Sequence, residues 1–345
     1  MRRLLLVLVF VVVAIVVGAG LYGVYILSRI QQPYKGFAGS EQLVDIPAGA
    51  TAAEIRRRLV DAGVVSDAFT FRLALVWTGQ SRSLEAGEYR FDRPMGAIDV
   101  VEKIARGDVY ARPITFPEGL TIREMATIYQ SRGFGRAGDF TSAARDTSLI
   151  EDLDPVAEDL EGYLFPETYA LPRGLAASRL IAMMVDRFRA TYTELEAKVG
   201  GGSAVSLRDL VSLASLVEKE TAKAEERPLV SAVYWNRMRL KMPMQADPTI
   251  VYALVKAGTY DGNIRKADLS VDSPYNTYKY AGLPPGPIAS PGRAALEAAL
   301  SPADVPYLYF VSRNDGSHAF ADTLARHNAN VHEYQVVYFR RMRGR

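Results

Sequence analysis

Residues 206–220 read SLRDLVSLASLVEKE, and the arrangement of the chain follows from what this stretch is. Leu207, Leu210, Val211, Leu213, Ala214, Leu216 and Val217 recur at helical spacing. Ser206 stands where an N-cap belongs, with Asp209 three residues on. The apolar helix ends abruptly in Glu218-Lys219-Glu220. At about 100° per residue Lys219 points away from the apolar stripe, while Glu218 and Glu220 fall on its two edges. Glu218 stacks over Ala214 and Val211, so its carboxyl is expected to lean toward the buried side. A carboxyl withdrawn from water has a raised pKa and keeps its proton near neutrality, as a general acid must. The same triplet also suits a solvated charge cluster at a helix end, and this stretch alone leaves both readings open.

Downstream, Arg227 to Lys241 reads as a second helix, followed by Met244-Gln245-Ala246-Asp247-Pro248-Thr249, a loop into a third. Asp247 is held extended by Pro248 and suits a helix cap, whereas Gln245 has no such local role. Then come Tyr275-Asn276-Thr277-Tyr278, Gly282-Leu283-Pro284-Pro285-Gly286-Pro287-Ile288 and Ser290-Pro291-Gly292. Such proline and glycine density fixes a loop's shape. Tyr307 to Val311 reads as a strand, Asp315-Gly316 as the hairpin turn leading to His318 and Phe320, and His327-Asn328 as the start of the last helix. Tyrosines and amides interleaved along loops suit sugars, whose rings stack on aromatic faces and whose hydroxyls bond to amides.

In the other direction, Gly200-Gly201-Gly202-Ser203 is the clearest break in the chain, and Leu175 to Val199 before it reads as a long helix. Further back lies an internal repeat, Val44-Asp45-Ile46-Pro47-Ala48-Gly49 against Ile114-Thr115-Phe116-Pro117-Glu118-Gly119. Each copy predicts a strand, a Pro-x-Gly turn and a helix, with Thr51/Glu54 and Thr121/Glu124 at capping-box spacing and Gly63 and Gly133 closing the helices. Leu84-Glu85-Ala86-Gly87-Glu88-Tyr89 extends the parallel to Leu160-Glu161-Gly162-Tyr163. Leu4 to Leu27 is uncharged and long enough to cross a bilayer, with Arg2 and Arg3 before it favouring a cytoplasmic N-terminus. A cleaved signal peptide is the competing reading.

Composition excludes several classes. The 345 residues carry a formal charge of +2 with no long basic run, which argues against a nucleic-acid binder. There is no cysteine, so disulfides and thiolate metal sites are ruled out, and the three histidines lack zinc spacing.

SLVEKET, MQADPT, YNTY, GLPPGPI, SPG, YLYFV and HN, in this order, resemble the endolytic murein transglycosylase family, also called YceG-like. The likeness extends to the apolar anchor, the LysM-like N-terminal region and LEGYLFPETY at 160–169. It implies a lyase that cleaves the β-1,4 bond between N-acetylmuramic acid and N-acetylglucosamine within nascent peptidoglycan strands and leaves a 1,6-anhydro end. The resemblance implies Glu218 as acid and base, with Gln245, Asp247, Tyr275, Asn276, Tyr278 and His318 on the substrate and no metal or organic cofactor. The substrate's own C6 hydroxyl is the nucleophile, so one carboxyl suffices where ordinary glycosidases use two. Ala246 and Ser290 depart from the residues expected at those positions, which bears on subsite contacts.

The expected fold is α+β: residues 1–3 a cytoplasmic tail, 4–27 a transmembrane helix, 28–40 a tether, 41–112 a LysM-like module, 113–202 a second strand–helix module with its linking helix, and 203–345 a largely helical catalytic module with a short sheet. The implied partners are peptidoglycan strands and the synthases that make them (penicillin-binding proteins), at the bacterial inner membrane. Two other readings are kept: a peptidoglycan-binding scaffold without turnover, and a muramidase using water with Glu220 or Asp247 as second carboxylate.

Overall fold

The computed structural model describes residues 2–200 and 205–343; Met1 of the expected tail and Gly201 to Ser203 of the expected break lie outside them. The fold is α+β, with three two-stranded sheets among many helices. The chain divides into two compact units, one of residues 1–112 with 170–173 and the other of 113–169 with 174–345.

The first unit opens with α1 (Arg2–Gln31), which from Leu6 onward is long and apolar enough to cross a membrane. Its end is tied down: Ile30 is buried in the unit's core and Arg29 pairs with Asp67 at 3.0 Å. Then follow β1 (Gln42–Ile46), α2 (Ala52–Asp61), α3 (Ala68–Thr78), β2 (Gly87–Phe91) and α4 (Ala97–Ala105). β1 and β2 are antiparallel, with Val44 opposite Tyr89, and the alternation along β1 sends Val44 and Ile46 inward. Ile55, Leu59, Phe71, Val100 and Ile104 complete this core.

β3 (Ala111–Thr115) pairs with β4 (Thr168–Pro172), and between them in sequence lie α5 (Ile122–Ser131) and α6 (Ala137–Ala143). Both repeat copies therefore run strand, helix, helix, strand. Thr51 accepts the Glu54 N–H, and Thr121 with Glu124 forms a full capping box. Gly63 and Gly133 follow their helices with φ of 68° and 75°, the left-handed exit that glycine adopts without steric cost. The likeness of Leu84–Tyr89 to Leu160–Tyr163 does not carry into structure: Tyr89 lies in a strand, Tyr163 in a turn.

The second unit continues with α7 (Ala177–Lys198), α8 (Leu207–Glu220), α9 (Arg227–Arg239), α10 (Asp247–Ala257), α11 (Arg293–Leu300), the hairpin β5 (Tyr309–Ser312) and β6 (His318–Ala321), then α12 (Leu324–Val331) and α13 (Tyr338–Arg343). The last helical run starts at Leu324, earlier than His327, because Thr323 caps it through the Arg326 N–H. α8 is the unit's axis. Every residue from Leu210 to Val217 is buried, since α9, α10 and α11 pack around it. From Leu210 to Val217 the helix is buried all round and has no single stripe, yet at its end Lys219 is exposed while Glu218 and Glu220 are partly buried on either side of it, as the two-edge geometry expects. The turn at Gly162, φ 84°, presses on this helix: a side chain there would meet Pro287 and the Val211 methyl.

Candidate functional site

The C-terminal end of α8 presents its two glutamates to different surroundings. The Glu220 carboxylate accepts the Tyr234 hydroxyl of α9 at 2.9 Å. Burial pushes its pKa up to about 7; the Tyr234 hydrogen bond opposes this, the Asp247 charge adds to it, and Arg237 opposes it. Glu220 and Asp247 line one cavity of about 520 Å³. One wall is α10, through Asp247, Val251 and Val255; another is the start of α5, through Thr121, Arg123 and Thr127. Asp247 does not cap α10, whose N-cap is Ala246; it is the first helical residue, and its carboxylate takes the Tyr278 hydroxyl at 2.5 Å. Burial, then that bond to Asp247, raises the Tyr278 pKa.

Glu218, expected as the acid, is not on the wall of this cavity. Its side chain is 7% exposed, lies 3.6 Å from Arg227 and accepts the Gly292 N–H at 2.9 Å. Burial raises its pKa; the Gly292 bond opposes, the neighbouring Glu118 raises, and Arg227 opposes. These contacts stitch turns together. Lys219 reaches back to the Gly119 carbonyl at 3.1 Å, Gly119 donates to the Ser290 carbonyl at 2.9 Å, and Ser290 donates to the Leu120 carbonyl at 2.8 Å. Ser290 is thus a buried link between the Pro-Glu-Gly and Ser-Pro-Gly turns.

The MQADPT and YNTY motifs meet through backbone. Thr277 accepts the Gln245 N–H at its carbonyl (3.2 Å) and the Ala246 N–H at its hydroxyl (3.1 Å), and that hydroxyl also contacts Thr249 at 2.9 Å. Gln245 is exposed and held at φ 52°, strained for a side-chain-bearing residue. Asn276 is fully buried. Its amide donates to the carbonyls of Leu269 (3.1 Å) and Val271 (2.8 Å), and its oxygen accepts the N–H of Tyr278 (3.0 Å) and Lys279 (3.3 Å). Both polar atoms of that side chain bond to the loop, whose shape they hold.

Tyr275 lies across α10 in a second cavity of about 420 Å³, with Ala253, Lys256 and Glu161. The Lys256 ammonium sits 4.9 Å over its ring, and Tyr252, which lines the first cavity, is 4.8 Å from it. His318 lies on the hairpin, its N–H and Nδ1 both on the Glu226 carboxylate at 2.9 and 2.7 Å. The structure therefore brings Glu220 and Asp247 to one cavity, with Tyr278 bonded to Asp247 and Asn276 bonded to the Tyr278 backbone; Glu218, Tyr275 and His318 do not line that cavity.

Tyr234, bonded to Glu220, and Arg123, on the wall of its cavity, carry no signal in sequence, being single residues on helices. Glu161, in the conspicuous LEGY turn, lines the Tyr275 cavity instead. Its buried carboxyl accepts the Ile122 N–H at 3.0 Å, and burial, then the charge of Asp159, pushes its pKa up to about 8. Among the described residues, no group of three or more histidine or acidic side chains is placed to hold a metal ion. Chemically, the site offers a carboxyl that keeps its proton near neutrality, faces a cavity large enough for sugar rings and has a second carboxylate beside it.

The YceG-like family matches residues 44–333. The chain belongs to that family. A Bacillus subtilis relative named endolytic murein transglycosylase is 32% identical over 93% of this chain and 91% of its own length. A Streptococcus pneumoniae protein of the same name is 32% identical over 84% of this chain, which spans 58% of that longer relative. The crystal structure of a YceG-like protein from Listeria monocytogenes, 31% identical, superposes with a TM-score of 0.54 over 85% of this chain and 99% of that one.

Proposed function

We propose that this YceG-like chain is a membrane-anchored lyase that cleaves peptidoglycan strands internally, with Glu220 as its acid and base. The observation that carries this reading is Glu220 itself, buried toward a pKa of about 7 on the wall of a 520 Å³ cavity. The protonated carboxyl donates to the glycosidic oxygen as the C1–O bond breaks. The muramic C6 hydroxyl then attacks C1 from within the same sugar and gives its proton to the Glu220 carboxylate, regenerating nothing but a carboxylic acid. No water is consumed, and the product ends in a 1,6-anhydro sugar. Asp247, hydrogen-bonded to Tyr278, faces the same cavity and is suited to stabilise positive charge developing at C1. Its presence is also what a water-using muramidase needs, so product mass decides between the two.

The anchor is α1, with Arg2 and Arg3 favouring a cytoplasmic N-terminus and the catalytic unit outside the inner membrane. The strand–helix–helix–strand order of the first unit supports the LysM-like reading and a grip on the glycan or on the synthase extending it. Cleavage there terminates nascent strands.

The test is mass spectrometry of sacculi digested by wild type, Glu220→Gln and Glu218→Gln. Anhydro-ended internal fragments are expected from wild type, with a loss of roughly 10²–10⁴-fold in Glu220→Gln and retained turnover in Glu218→Gln. The converse mutant pattern moves the acid to Glu218. Reducing ends, one water heavier, support the muramidase, and binding without cleavage supports the scaffold.

A further inference from the structure

Five charged side chains line the Glu220 cavity, and four of them are already occupied within the protein. Glu124 accepts the Thr121 N–H and hydroxyl, both at 2.8 Å, and Lys219 donates to the Gly119 carbonyl. Glu220 takes the Tyr234 hydroxyl and Asp247 the Tyr278 hydroxyl. The fifth is Arg123. Among the described residues its guanidinium has no hydrogen-bond or ion-pair partner, although it lines a cavity holding three carboxylates. One turn along α5, Thr127 also lines the cavity, its hydroxyl donating to the Arg123 carbonyl at 3.0 Å.

We propose that Arg123 forms an anion-accepting subsite facing Glu220, which takes a carboxylate carried by the glycan strand. This rests on the glycan-cleaving reading above. A planar guanidinium with five fixed donors matches a carboxylate two bonds at a time, and a neutral sugar hydroxyl does not use that geometry. In a muramic-acid strand a carboxylate has two sources, the lactyl group of a bare sugar or the acids of an attached stem peptide. Poly-N-acetylglucosamine has neither. Arg123 thus selects strands bearing a carboxylate over neutral ones, and it does so by binding, without acting on the reacting bond.

The experiment compares the full chain in detergent with Arg123→Ala and Arg123→Lys on peptide-bearing strands, on strands stripped of peptide by an amidase, and on chitooligosaccharides. Cleavage kinetics are read beside calorimetric Kd values. Arg123→Ala is expected to raise KM and Kd roughly tenfold on the strand type that supplies the carboxylate, with kcat within about twofold. Arg123→Lys restores part of the affinity, and chitooligosaccharide binding stays unchanged. An effect on peptide-bearing strands alone assigns the peptide, and an effect on bare strands assigns the lactyl group. Unchanged Kd on both, or an equal loss on chitooligosaccharides, overturns the proposal while leaving the cleavage reading intact. Absence of cleavage by wild type sinks that reading instead, and the Kd comparison still decides Arg123.

Discussion

Glu220 is poised near neutrality by burial, with its neighbours as smaller corrections of known sign. Its folded pKa, about 7, lies above the ordinary 4.5. The acid form is therefore present below that value and is lost as the pH rises through it, so wild-type kcat is expected to fall across about pH 7. The proton it holds also favours the folded state, fully so below about 4.5 and no longer once the pH has passed about 7. The neighbours move the kinetic limb predictably. Tyr234 bonds to the ionised form, so Tyr234→Phe shifts the limb to higher pH, by up to roughly one unit for a bond worth about 1 kcal/mol. Asp247→Asn removes a charge that disfavours ionisation and shifts it to lower pH. A pH–kcat profile of the three proteins checks this, and an unmoved limb in both mutants means that another group titrates. Arg227 is the ion-pair partner of Glu218 at 3.6 Å and opposes the rise that burial gives that carboxyl, so a limb that moves with Arg227→Gln instead points to Glu218.

At the scale of elements, the loop from Asp272 to Tyr280 hangs on one amide. Asn276 is fully buried and satisfies two carbonyls and two N–H groups at once. Asn276→Ala strands these groups, and a cost of roughly 2–4 kcal/mol is expected, seen as a lowered Tm with Tyr278 released from Asp247 and turnover reduced. Unchanged thermal stability would refute a structural role for that amide. Much of this region was legible in sequence: proline, glycine and aromatic residues announced shaped loops, α7 and α9 form where helices were expected, and Asp315-Gly316 does turn the β5–β6 hairpin. The division of labour was less legible. Asn276 has the same letter whether it bonds to a sugar or to its own loop, and only the loop's return path at Leu269 and Val271 decides. The choice between Glu218 and Glu220 is hard to read from sequence for a related reason. Periodicity locates the buried face of an amphipathic helix, but α8 is enclosed on every side from Leu210 to Val217, so the direction of its last turn depends on α9 and the Ser-Pro-Gly turn.

For the whole molecule, the feature that bears most on the candidate site is the packing of the second repeat. The glycine break near 202 suggested a catalytic module starting at 203, because a flexible run between two helices is what a linker looks like. The compact unit begins at Pro113. Its second repeat supplies the α5 wall of the Glu220 cavity, the Gly119–Ser290 and Leu120–Ser290 backbone bonds, and the Gly162 turn seated on Val211 and Pro287. None of this long-range stitching leaves a periodic trace in sequence; the repeat itself was visible, but the surface it packs against was not. A fragment of residues 203–345 would lose α7, which packs on α11, and the 119–120 turn bonded to Ser290 and Lys219. It is expected to show no cooperative thermal transition and no turnover, whereas residues 113–345 should melt cooperatively with ordered near-ultraviolet circular dichroism. Should 203–345 melt cooperatively and cleave strands alone, the second repeat would be an accessory and Arg123 would have no place in the site. If 113–345 folds and cleaves while 203–345 does neither, the second repeat is part of the catalytic machine.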